Sequence, residues 1–179
     1  MIEKELKPLK MERARFKTEI NQASLNEFGQ DSVSFTISTN SGSSFGALIK
    51  IASGGELSRF LLALKVCLTN DQKGVSMVFD EIDRGVGGAT ADAVGRRLLQ
   101  LAKKNAQVLV VTHSPQVAAL AERHFIVSKV IEDEKTLSRV NQIKGEDCVE
   151  EIARMISGDR ITDEAREASR VLISGASNS

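Results

Sequence analysis

Apolar and polar positions alternate at Val33, Phe35 and Ile37 against Ser34, Thr36 and Ser38, the two-residue period of a strand that buries one face. Asn40-Ser-Gly-Ser-Ser supplies turn chemistry, and Ala47-Leu-Ile-Lys-Ile has the character of a returning strand, so a hairpin or meander is expected over about 31–51. The period then lengthens. Leu57, Leu61, Leu64 and Leu68 fall on one helical face, which Phe60, Ala63 and Cys67 widen, as expected of a helix packed on a sheet. Val75 to Phe79 reads as a short strand, Ala89 to Lys104 as an amphipathic helix with Val94, Leu98 and Leu101 inward, and Val108 to Thr112 as a second apolar strand. Strand, crossover helix and strand make a βαβ unit, and the near-continuous apolar character of both strands predicts a parallel sheet covered on both faces.

Towards the end, two weaker strands near 125–130 and 137–143 flank the polar turn Glu132-Asp-Glu-Lys. Val149, Ile152, Ala153 and Ile156, then Ala165, Ala168, Val171 and Leu172, predict two helices. Thr162 followed by Asp163 and Glu164 is a helix start, because oxygen acceptors and acids there complement the free N–H groups. The first twenty residues read as the tail of a helix that Pro8 interrupts, and 174–179 as a frayed tail.

Composition narrows the class. The chain has 179 residues, 27% charged and 41% hydrophobic, which suits an ordinary globular domain. Basic and acidic side chains balance at 24 each, so bulk charge predicts no nucleic-acid partner. No apolar run exceeds the five residues of Phe60 to Leu64, far short of the ~18 residues a membrane span needs. The N-terminus has no apolar run that would serve as a secretory signal. Cys67 and Cys148 form no C-x-x-C, and His113 and His124 are not at metal-ligand spacing. A disulfide framework and a zinc site are therefore not expected, and a reducing cytoplasm is.

Three segments carry candidate chemistry. The strand Val75-Ser-Met-Val-Phe delivers Asp80, Glu81 and, two residues on, Asp83 at its C-terminal edge, where open parallel sheets place their ligands. Asp80 suits Mg²⁺, directly or through water, and Glu81 suits the general base or orienter of an attacking water. Ser53-Gly54-Gly55-Glu56 precedes the broad apolar helix; its glycines permit close backbone approach to an anion, although a Ser-Gly-Gly turn alone is an ordinary loop and cap. His113, at the end of the second apolar strand, is placed to hydrogen-bond a phosphate. Arg84-Gly85-Val86-Gly87-Gly88 reads only as a turn, and no G-x-x-x-x-G-K-[ST] phosphate loop occurs.

In order and spacing, these segments resemble the C-terminal half of an ABC-type ATPase head. Ser53 to Glu56 match the signature motif, Val75 to Glu81 the Walker B strand with its catalytic glutamate, Arg84 to Gly88 the D-loop region, and His113 the switch histidine. Finer matches at 37–40, 50–59, 79–83, 115–119 and 149–155 resemble the RecN family of bacterial DNA-repair proteins, relatives of the SMC family, over about residues 9–173. Arg84 departs from the small hydroxyl residue usual there, and Ser114 from a common leucine.

The resemblance implies an α/β fold, the C-terminal lobe of an ABC/SMC-type P-loop NTPase head, with a largely parallel sheet, flanking helices and short antiparallel strands. Residues 1–20 would end a descending coiled coil, and 21–173 would form the half-head. ATP and Mg²⁺ would be the cofactors. The phosphate loop would come from an N-terminal portion of the same protein, and a second head would complete the site. Ser53, Gly54, Gly55 and Glu56 would meet the γ-phosphate bound to the partner head, with Asp83, Gly85 and Gly87 in the D-loop. Asp80, Glu81 and His113 would serve the nucleotide of their own head. The implied role is ATP hydrolysis in double-strand-break repair in the bacterial cytoplasm. The other readings are a head from another SMC-type DNA-organising ATPase, or a non-hydrolysing dimerisation or tethering module. Arg96, Arg97, Lys103 and Lys104 form a basic group that reads first as a solvated helix face and second as a phosphate contact.

Overall fold

A computed structural model describes residues 2–48, 54–69, 74–104, 106–132 and 135–177. The chain divides into two compact units, Met1–Val111 and Thr112–Ser179.

The first unit opens with helix α1 (Ile2–Leu6), followed by strands β1 (Arg15–Asn26), β2 (Gly29–Ser38) and β3 (Gly46–Ala47). The helix expected through residue 20 thus ends at Leu6, just before Pro8, and Arg15 already lies in a strand. Leu6, Leu9, Met11 and Ala14 are buried, so the first segment anchors on the core as an irregular turn. β1 and β2 pair antiparallel from Arg15↔Ser38 to Gln22↔Asp31, and their register shifts before Asn26↔Gly29. At the tip the Asn26 carboxamide oxygen accepts the Phe28 N–H at 2.8 Å. The ribbon is buried only where it meets the core. Ile37 is buried with Thr36 and Ser38, whereas Val33 and Phe35, expected on the same buried face, are exposed. Of the returning strand expected at 47–51, β3 holds Gly46 and Ala47, paired with Ile37 and Thr36; residues 49–51 lie outside the described residues.

Helix α2 (Gly54–Thr69) buries Phe60, Leu62, Ala63 and Val66. Leu61 and Leu68, expected inward, are exposed. The shift has a visible cause: Phe60 stacks on Phe16 of β1 with ring centroids 5.4 Å apart, and Phe16 stacks at the same distance on Phe35. The largest side chain sets the buried face, and the leucine row rotates away from it.

Strand β4 (Ser76–Asp80), helix α3 (Gly88–Ala102) and strand β5 (Gln107–Val111) form the expected βαβ unit. β4 and β5 are parallel, in register from Ser76↔Gln107 to Asp80↔Val111. α3 buries Ala91, Val94, Gly95, Leu98 and Leu101. Arg97, read as outward, turns in to pair with Glu5 of α1, and burial pulls its pKa down. Arg96 is exposed and pairs with Asp92 at 2.9 Å. The parallel pair is covered on one face only. Met77 and Phe79 are buried, but Val78, Leu109 and Val111 remain 60, 49 and 56% exposed. Among the described residues, parallel pairing is confined to β4 and β5, and the remaining ladders are antiparallel. The described strands therefore form two antiparallel sheets and one small parallel pair, not a largely parallel sheet.

The second unit comprises α4 (Pro115–Ala118), the antiparallel pair β6 (His124–Glu132) and β7 (Lys135–Ile143), and helices α5 (Glu146–Ser157) and α6 (Asp163–Ser177). Cys148, Val149, Ile152 and Ala153 of α5 are buried, as are Ala165 and Ser169 of α6. Arg166 pairs with Glu150 at 2.6 Å and Arg170 with Glu146 at 3.1 Å, tying the two helices. The Thr162 hydroxyl accepts the Ala165 N–H at 3.2 Å, the expected helix start. The tail expected to fray from 174 continues as helix through Ser177, where the Ser174 hydroxyl donates to the Val171 carbonyl at 3.0 Å. Both cysteines are free thiols. Among the described residues, no helix is long and apolar enough to cross a membrane.

Candidate functional site at the tip of strand β4

The alternating burial of β4 leaves Asp80 exposed at its last position, and Glu81 follows as the first residue of the turn. The Glu81 N–H donates to the Val111 carbonyl at 3.0 Å, closing the last parallel pair, Asp80↔Val111. Two acids are thereby held at the joint tip of β4 and β5. Glu81 has a φ of 47°, one of two non-glycine residues with positive φ among those described. A side chain in this left-handed region costs of order 1–3 kcal/mol and persists only when its surroundings impose it. Here the surroundings are the Val111 bond on one side and the Arg84 N–H, donating to the Glu81 carbonyl at 3.0 Å, on the other.

The turn then descends into the protein. Asp83 is fully buried, unlike Asp80 and Glu81, and its carbonyl accepts the Val86 N–H at 3.1 Å. Gly85 has a φ of 74°, which demands glycine for the sharp return. Gly87 is the extended residue that leads into α3. Arg84 extends outward and places Nη1 3.3 Å from Oε2 of Glu81. In the sequence Arg84 stands out only as the first residue of a glycine turn and as a departure from a small hydroxyl residue. Its spacing of three from Glu81 across a turn is the signal that predicts this pair.

The start of α2 lies on the same turn. Gly55 is buried against the backbone of Arg84 and Gly85, Gly54 is exposed, and Glu56 is half-buried. Ser53 lies outside the described residues. Arg59, one helical turn on, is half-buried with its Nε lacking a hydrogen-bond partner; burial lowers its pKa, and the charge of Glu56 opposes that shift. The structure thus brings together Asp80, Glu81, Asp83, Gly85 and Gly87 with Gly54, Gly55 and Glu56. His113 belongs to the second unit, two residues past Val111 in the chain, and is exposed. Beside it the Thr112 hydroxyl accepts the Ser114 N–H at 2.9 Å, and Ser114 with Pro115 opens α4. His124 is bonded through Nε2 to the Ala118 carbonyl at 2.9 Å, the environment of a structural histidine.

The donors at the β4 tip are carboxylate oxygens, which suit a hard cation. Among the described residues, no group of three or more His, Cys, Asp or Glu gathers to enclose a metal ion. Asp80 and Glu81 alone would leave most of a Mg²⁺ shell to other ligands.

A parallel strand tip with two exposed acids, backed by a glycine-led helix start, sits here in a fold of known class: the chain has the fold of an SMC head. The Smc head domain with a coiled coil and joint derived from Pyrococcus yayanosii superposes with a TM-score of 0.63 over 84% of this chain and 27% of that one, at 18% identity. A structure described as structural biochemistry of ATP-driven dimerization and DNA stimulated activation of SMC ATPases matches over 80% of this chain and 83% of that one, with a TM-score of 0.51 and 19% identity. In sequence the chain is homologous to DNA repair protein RecN. It is 44% identical over 172 residues to RecN of Rickettsia conorii, covering 96% of this chain and 31% of that protein. The chain therefore spans about a third of the length of the relative it matches. No protein-family model matches it.

Proposed function

We propose that this chain is the C-terminal part of a RecN-like DNA-repair ATPase, in which two heads bind and hydrolyse ATP between them. One observation carries the reading: Glu81, exposed beside Asp80, is held in a left-handed conformation by the Val111 and Arg84 bonds. Backbone strain of this kind clusters at functional sites, which supports a functional role for Glu81. Its carboxylate would accept a proton from the water that attacks the γ-phosphate. Asp80 would hold the Mg²⁺ that accompanies ATP, directly or through water; the ion would offset charge on the phosphates. His113 would donate a hydrogen bond to the γ-phosphate of the same nucleotide.

The Ser53-Gly54-Gly55-Glu56 segment would meet the nucleotide of a second copy, and Asp83, Gly85 and Gly87 would shape the D-loop between the copies. The exposed apolar face at Val78, Leu109 and Val111 supports a further layer of polypeptide over β4 and β5. That layer would be the N-terminal portion of the same protein, carrying the phosphate loop and a coiled coil. The absence of G-x-x-x-x-G-K-[ST] from these residues supports the view that the 179-residue chain alone does not turn over ATP. Double-strand-break repair in the bacterial cytoplasm, on DNA bound by the complete protein, follows from the RecN homology as part of this proposal.

Calorimetric titration of ATP into the 179-residue chain tests the half-site reading. No tight binding is expected, and micromolar affinity would overturn it. Co-expression with the N-terminal portion of the same protein is expected to restore ATP binding.

A further inference from the structure

Helix α6 turns both of its arginines to one side. Arg166 pairs with Glu150 at 2.6 Å, and Arg170 pairs with Glu146 at 3.1 Å, so both are held by carboxylates of α5. The buried Ala165 and Ser169 lie on the same side of the helix.

The adjoining face is of another kind. Glu164, Glu167, Ala168, Val171 and Leu172 recur at helical spacing, and with Ile156 of α5 and Gln116 of α4 they line a groove of about 650 Å³. Val171 is 61% and Ile156 41% exposed, whereas Ile152, one turn earlier in α5, is fully buried. Ala168 offers only a methyl group where its neighbours offer branched chains, which leaves room for an inserted side chain. Among the described residues no cation lines the groove. Glu167 meets a cation only at 3.9 Å, from Arg170, and the Glu164 carboxylate is bonded to its own N–H and the Thr162 hydroxyl. Neither charge is cancelled by a close ion pair.

This rim decides what the groove suits. An anionic lipid surface or a phosphate chain would be repelled. A permanent cover from the same protein would desolvate both carboxylates, and the buried cores of interfaces are depleted of charge. A partner that brings its own cations meets both demands, because apolar side chains fill the groove while ammonium or guanidinium groups reach the rim. A helix presents that combination directly, since residues three, four and seven apart share one face.

We propose that the groove between α5 and α6 docks an amphipathic helix of a separate protein, apolar on the face that enters and basic along its flanks. The contact is small, so the complex is transient, steered by charge and weakened by salt. It does not draw on the ATPase reading.

The test uses the complete RecN-like protein and a labelled helical peptide with leucines at i, i+3, i+4 and i+7 and lysines elsewhere. The same peptide with glutamate in place of lysine is its control. Fluorescence anisotropy is expected to show saturable, salt-sensitive binding of the lysine peptide, roughly tenfold or more tighter than the glutamate peptide. Val171→Asp, at an exposed position, is expected to weaken it roughly tenfold, the scale of a lost anchor. Glu167→Lys leaves the apolar lining in place and is expected to narrow the gap between the peptides. Absent binding, equal binding of the two peptides, binding that Val171→Asp leaves intact, or a gap that Glu167→Lys leaves unchanged would each overturn the proposal. Two other occupants would also overturn it. Binding by the 179-residue chain that disappears in the complete protein would place its own N-terminal portion in the groove. A dimer in sedimentation that Val171→Asp dissociates would place a second copy there.

Discussion

The Glu81 N–H is bonded to the Val111 carbonyl at 3.0 Å, so the first residue past β4 is fixed to the last residue of β5. The bond closes the last parallel pair, Asp80↔Val111, and ties the start of the turn to the sheet. Glu81→Gln preserves this backbone arrangement and removes the basicity of the side chain. In the complete protein, turnover is expected to fall about 10²–10⁴-fold with ATP binding retained, measured by phosphate release and nucleotide binding side by side.

Glu81 also bears a conformational cost that glycine would not. At φ 47°, Glu81→Gly is expected to stabilise the 179-residue chain by about 1 kcal/mol, less whatever backbone entropy glycine gains when unfolded. Hydrolysis in the complete protein should be lost. Denaturant unfolding and an ATPase assay on the same substitution would show stability and activity moving in opposite directions.

The buried face of α2 makes a clear contrast between neighbouring positions. Phe60 is fully buried between Phe16 and the rest of the core, and Leu68 is 69% exposed. Phe60→Ala is expected to cost about 3–5 kcal/mol, and Leu68→Ala under about 0.5 kcal/mol. Chemical denaturation distinguishes this face from the leucine row that the sequence alone favours.

The start of α6 carries a pH dependence of definite sign. The Glu164 carboxyl lies below its ordinary pKa because its own backbone N–H, and then the Thr162 hydroxyl, bond to it. A depressed carboxyl contributes stability above its unfolded pKa, and that stability is lost as pH falls through the lower, folded value. Thr162→Ala is expected to lower the melting temperature, more at neutral pH than in acid. Thermal melts of both proteins at neutral and acid pH check the trend.

The βαβ unit, its acidic tip and the C-terminal helices are legible in the sequence because their cues are local. Val94, Leu98 and Leu101 repeat at helical spacing, and Asp80 and Glu81 follow an apolar run directly. β1 is not legible. Arg-Phe-Lys-Thr-Glu-Ile-Asn-Gln is polar with only sparse alternation, and it becomes a strand by pairing with β2. The rotated face of α2 is hidden for the same reason, since Phe16 lies far from Phe60 in sequence. The left-handed backbone of Glu81 has no local sequence cue, whereas its pairing with Arg84 is hinted at by their spacing of three across a turn. The two glycines look interchangeable until the space around each is known.

The uncovered side of β4 and β5 also bears on how such a polypeptide is made. Val78, Leu109 and Val111 present a greasy strip on paired strands, the kind of surface that recruits chaperones or self-associates while a nascent chain waits for its complement. If the N-terminal portion we propose covers this strip, yield in soluble form is expected to rise when that portion is supplied during synthesis rather than after purification.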